Sequence, residues 1–60
     1  MAIKITYTNH LDTAELGKIR KVYRTKYGYT PSGQHKYYYV WNDRLGKCTW
    51  VKDTDCELVA

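Results

Sequence analysis

Sixty residues with a formal net charge of +4 can build one small core. Once that core is filled, little volume is left for a substrate pocket. Seven Tyr and two Trp carry the aromatic content, with no Phe, and such rings sit half in a core and half in water. No apolar run approaches membrane-spanning length. The start of the chain, Met1 to Tyr7, lacks the apolar stretch and cleavage pattern of a secretory leader. The expectation is a cytoplasmic protein with no membrane partner and two reduced cysteines.

The charge is uneven. Between Gly17 and Lys47, eight cations stand against Asp43 alone, a net +7. In the remainder, Lys4 and Lys52 face five acids, a net −3. A basic stretch of this kind either solubilises a strand face or meets phosphate or an acidic protein.

Along the chain, Ile3, Ile5 and Tyr7 alternate with Lys4, Thr6 and Thr8, which predicts a strand over about residues 2–8. Asp12 and Glu15 form a capping box with Leu11 and Leu16 as its staple, so one helical turn is expected at 12–16. Ile19, Val22, Tyr23, Thr25 and Tyr27 are weak helix formers, and they predict a second strand over about 18–27. The alternative at this point is a helix over 12–27 ending at Gly28. Gly28 to Gln34 holds Pro31 and two glycines and reads as a turn-rich loop. Lys36-Tyr37-Tyr38-Tyr39-Val40-Trp41, the densest aromatic run, predicts a strand over about 35–41. Asn42 to Gly46 is a break, and Lys47 to Lys52 returns as its hairpin partner. Lys52 to Asp55 is turn-like, and Cys56 to Val59 closes with a fifth strand.

Five short strands predict an all-β protein whose sheet closes into a small barrel and hides its edges. The expected core is Ile3, Ile5, Ile19, Tyr39, Trp41, Val51, Cys56 and Leu58. The helix alternative implies an α+β fold, with 12–27 packed on a three- to four-stranded antiparallel sheet. The succession Gly17-Lys18-Ile19, Tyr37-Tyr38-Tyr39-Val40, Gly46, Thr49-Trp50-Val51-Lys52 and Cys56-Glu57-Leu58-Val59 resembles an SH3-like barrel. It is similar to the small SH3-like proteins encoded by phages and prophages, over about residues 17–59. The resemblance implies a five-stranded barrel with one tight helical turn before a short last strand. The chain lacks the Ala-Leu-Tyr-Asp-Tyr-type segment and acidic loop of the SH3 domains that bind proline-rich peptides, so that ligand is not expected.

Cys48 and Cys56 with His10 and His35 match no zinc-ligand spacing. No metal, cofactor, small-molecule substrate or enzymatic activity is expected. The functional lead is aromatic–basic interleaving. Arg20, Arg24 and Lys26 share parity on the expected second strand, and Lys36 and Tyr38 share parity on the third. With Tyr37, Tyr39 and Trp41 turned inward, these five residues would form one outward row, which Tyr29 extends. Cations for phosphates and rings for stacking suit single-stranded DNA or RNA. The alternative partner is an acidic protein, bound by a phage-type regulator or inhibitor.

Overall fold

The computed structural model describes residues 1–59 and contains six strands, all in antiparallel pairs. They are β1 (Ala2–Ile5), β2 (Ile19–Lys21), β3 (Arg24–Thr30), β4 (Gly33–Asn42), β5 (Lys47–Lys52) and β6 (Cys56–Val59). Two 3-10 turns, Thr13–Glu15 and Asp53–Asp55, are the helical content. Neither is long or apolar enough to cross a membrane. The fold is therefore all-β, and the alternative helix over 12–27 does not form. Ile19, Thr25 and Tyr27 go into strands instead, and within 12–16 only Thr13–Glu15 makes a helical turn.

The strands make two three-stranded sheets, ordered β2-β1-β6 and β3-β4-β5, that do not join into one closed barrel. The expected strand over 18–27 is interrupted at Val22-Tyr23. There the chain leaves one sheet for the other, donating from Val22 N to Met1 O at 3.0 Å and from Tyr23 N to Tyr39 O at 2.9 Å. A single expected strand thus becomes β2 and β3, and the count rises from five to six. The expected 28–34 loop is mostly strand, because β3 runs on to Thr30 and only Pro31-Ser32 make the turn. Pro31 suits that position, where no ladder hydrogen bond is needed from its nitrogen. Gly28 sits inside β3, and the Tyr37 ring covers it. A Cβ there would stand 2.9 Å from Tyr37 Cε2. The β4–β5 turn is keyed by buried Asn42, whose Oδ1 accepts from Leu45 N at 3.0 Å. Gly46 there takes a positive φ of 65°, which only glycine adopts without steric cost.

The core lies between the sheets and consists of Ile3, Ile5, Tyr38, Val40 and Cys56, with Val22 and Val51 packed against it. This corrects half of the expected core. On β4 the inward parity is Tyr38, Val40 and Asn42, so Tyr39 and Trp41 face out. Ile19 pairs with Lys4 on the outer side of the small sheet and is 62% exposed. Leu58 pairs with Ile3 but stands exposed on an edge strand.

Candidate nucleic-acid interface

The inverted parity of β4 creates a face that the sequence reading did not anticipate. Directly opposed residues of an antiparallel pair project to the same side. Arg24 opposes Tyr39 and Lys26 opposes Tyr37 on one flank. Trp50 opposes Tyr39, Lys52 opposes Tyr37 and Cys48 opposes Trp41 on the other. The outer face of the β3-β4-β5 sheet therefore carries a central aromatic column, Tyr37, Tyr39 and Trp41, with cations on both sides. Tyr39 and Trp50 rings lie 4.7 Å apart, tilted by 41°. Lys26 Nζ sits 4.3 Å above the Trp50 ring and 5.8 Å from that of Tyr37. Such contacts are worth about 0.5–1 kcal/mol at exposed sites. None of Arg24, Lys26 and Lys52 is in an ion pair among the described residues.

The six expected site residues are scattered by this arrangement. Arg24 and Lys26 lie on the outer face. Arg20 does not join them, because the sheet change at Val22-Tyr23 breaks the parity that linked them. It opposes Ile3 and is clamped instead. Its Nε and Nη2 donate to Glu15 at 3.0 and 2.8 Å, and Nη2 also donates to Asp43 at 2.9 Å. Those two carboxylates raise the guanidinium pKa further, and Arg20 in turn holds Asp43 below the usual carboxylate range. Tyr38 is a core residue at 5% exposure and offers no face for stacking. Lys36 shares its side of the sheet, 5.8 Å from the Tyr27 ring and 5.7 Å from that of Tyr38. Tyr29 is 83% exposed near the hairpin tip, on the parity of Tyr27 rather than of Tyr37.

Tyr37, Tyr39, Trp41, Trp50 and Lys52 were missed, although a signal for them exists in the sequence. Arg24 and Lys26 must stay in water, and a turn at Pro31-Ser32 pairs them with Tyr39 and Tyr37.

Two further clusters lie off this face or at its margin. Ser32 Oγ and His35 Nε2 are 2.8 Å apart, and His35 Nδ1 is 2.9 Å from Asp53 Oδ1. This is the order of a nucleophile relay, but Ser32 sits on an exposed turn and shares its hydroxyl with Thr30 at 2.8 Å. Asp53 also accepts from Lys36 N at 3.1 Å. That backbone donor and then His35 hold its carboxyl below the ordinary range. The group fastens the β4 hairpin to the Asp53–Asp55 turn. The second cluster surrounds a cavity of about 190 Å³ between the loop after β1 and the β4–β5 hairpin. Ile5, Val40 and Val51 line it together with Asp12, Glu15 and Asp55. Arg44 pairs with Asp12 and lowers its pKa, and Arg20 neutralises Glu15. Carboxylates around its walls make it unsuited to a phosphate. Among the described residues, no three His, Cys, Asp or Glu side chains converge as a metal site would require.

Both cysteines are free thiols, Cys48 half-buried on the outer face and Cys56 buried in the core. Burial first, then Asp53 and Asp55, push the Cys56 thiol up to about 11. Only the thiolate reacts appreciably, so a maleimide or disulfide reagent at pH 8 should label Cys48 first and Cys56 only on unfolding. Equal labelling rates in the native protein would contradict this placement. Since the folded value lies above the ordinary 9.0, the stability it contributes is complete below pH 9 and is lost as pH rises toward 11. No protein-family profile, curated protein or solved structure matches the chain significantly.

Proposed function

We propose that this chain is a small non-enzymatic binding module that takes nucleic acid on the outer face of its β3-β4-β5 sheet. The observation carrying this reading is the aromatic column of Tyr37, Tyr39 and Trp41, with Trp50 beside it and unpaired Arg24, Lys26 and Lys52 at its flanks. Rings supply stacking faces without regard to sequence, and cations neutralise phosphates. The same face carries no acid among these positions, while Asp12, Glu15 and Asp55 line the cavity that Trp41 and Trp50 border, and Asp43 and Asp53 lie at the ends of β4.

The element order supports an SH3-like arrangement for this module. A first strand is followed by a long excursion, a bent strand shared between two sheets, two hairpin strands, a 3-10 turn and a short last strand. The 3-10 turn before a short last strand is the part of this succession that the sequence resemblance implies, and reading the bent strand as β2 and β3 together would bring six strands to its five.

The test is a polarisation titration of labelled oligothymidylate and oligoadenylate at low and moderate salt. Wild type would be compared with R24A/K26A, Y39A, W50A and the control Y29A, each checked for folding by circular dichroism. Each lost phosphate contact should reduce the salt slope by about one unit. Loss of a stacking ring should cost about 1–3 kcal/mol. Y29A should bind as wild type does. No binding at low salt, or loss with Y29A alone, would refute the reading. Retention of an acidic protein that is insensitive to salt would favour the protein-partner alternative, where aromatic and Arg side chains act as buried anchors.

A further inference from the structure

We propose that the outer face seats three successive nucleotides of a single strand drawn out of its helical stack, one at each of Tyr37, Tyr39 and Trp41. This rests on the nucleic-acid reading above and adds to it the length and conformation of the ligand.

Spacing is the first argument. Residues two apart on a strand are separated by about 6.8 Å, whereas stacked bases in a duplex strand advance by about 3.4 Å. A stacked strand therefore cannot place consecutive bases on consecutive rings of β4. An extended, unstacked one can, and its bases must be free of a complementary strand.

The seats also differ in construction. The Tyr37 ring lies over Gly28, which has no side chain to lift it. Tyr39 is widened by Trp50 at 4.7 Å. Trp41 is oriented by its indole N–H, which donates to Asp43 Oδ1 at 2.6 Å. The cations are asymmetric as well. Arg24 and Lys26 flank Tyr39 and Tyr37 from β3, and Lys52 alone flanks Tyr37 from β5. The phosphodiester chain then runs along the β3 side. Lys26, resting over Trp50 at 4.3 Å in the free protein, swings from ring to phosphate as the strand arrives.

Both ends of the column are closed by carboxylates. Asp43 holds Trp41 at one end. At the other, the fourth position is His35, tied to Asp53 and Ser32. A phosphate placed beyond either end meets a negative charge, which limits the footprint to three.

The test is a length series of oligothymidylates from one to eight nucleotides on the wild-type protein at low salt, read by tryptophan fluorescence. A DNA hairpin duplex is included as a competitor. Affinity should climb steeply up to three nucleotides and thereafter only in proportion to the number of available registers. The duplex should compete at least tenfold more weakly. Gly28→Ala displaces the Tyr37 ring without touching a charge, so it should weaken trinucleotide binding about tenfold and leave the salt slope unchanged. A steep climb continuing beyond five nucleotides, equal competition by duplex, or an unaltered trinucleotide affinity in Gly28→Ala would overturn the three-seat arrangement while leaving nucleic-acid binding intact. Failure of every oligonucleotide to bind would remove both.

Discussion

Tyr38→Ala should leave most of the protein unfolded in water. Tyr38 faces the core at 5% exposure and packs with Ile3, Ile5, Val40 and Cys56. Truncating a buried aromatic side chain costs about 3–5 kcal/mol. A domain of this size has only about 3–5 kcal/mol in total, so one such cavity consumes it. Tyr38→Phe keeps the ring, and the phenol oxygen is not a buried group without a partner. That change should cost only about 0.5 kcal/mol. Circular dichroism and urea titration of both variants would check this. A folded, near-wild-type Tyr38→Ala would mean that Tyr38 is not a core residue. The contrast with Tyr39→Ala is informative, because Tyr39 lies two positions from Tyr37 on the outer side. Its loss should weaken binding far more than it weakens the fold.

Removing Arg20 is the second large effect. Its guanidinium joins three separate segments, holding Glu15 of the first 3-10 turn and Asp43 of the β4–β5 turn to β2. The Glu15 side chain is only 7% exposed and that of Arg20 17%. Arg20→Ala leaves a nearly buried carboxylate without its partner, which costs about 3–5 kcal/mol when burial is complete. With the guanidinium still partly in water, we expect about 2–3 kcal/mol in urea unfolding. The double variant Arg20→Met with Glu15→Leu removes both charges and should recover most of that loss. A cost below about 0.5 kcal/mol for Arg20→Ala, the level of a surface pair, would show that the clamp is not formed in solution. Oligonucleotide affinity of the folded fraction should fall less than on loss of a stacking ring, since Arg20 reaches the binding face only through Asp43, which orients Trp41.

The residues themselves determined a good part of this molecule. Period-two alternation at Ile3 and Ile5, the aromatic run from Tyr37 to Trp41, the Asn42–Gly46 break and the last two strands follow from local chemistry. So does the all-β class, because β-branched and aromatic residues between Ile19 and Tyr27 disfavour a helix. The presence of rings and cations in the middle of the chain was also legible.

Which rings and which cations share a face was decided only by the tertiary structure. On β4 both parities are apolar, Tyr37, Tyr39 and Trp41 on one and Tyr38 and Val40 on the other. Alternation alone cannot choose between them, and a shift of one residue exchanges every side chain. The partner strands make the choice. Arg24, Lys26 and Lys52 must remain in water, and their register carries Tyr39 and Tyr37 outward with them. The same holds for Arg20, whose parity with Arg24 means nothing once the chain changes sheets at Val22-Tyr23. Its carboxylate partners are 5 and 23 residues away, and no local pattern announces the second of them. Strand identity is a short-range property of side-chain shape, whereas facing is a long-range property of pairing, and the candidate site depends on the second.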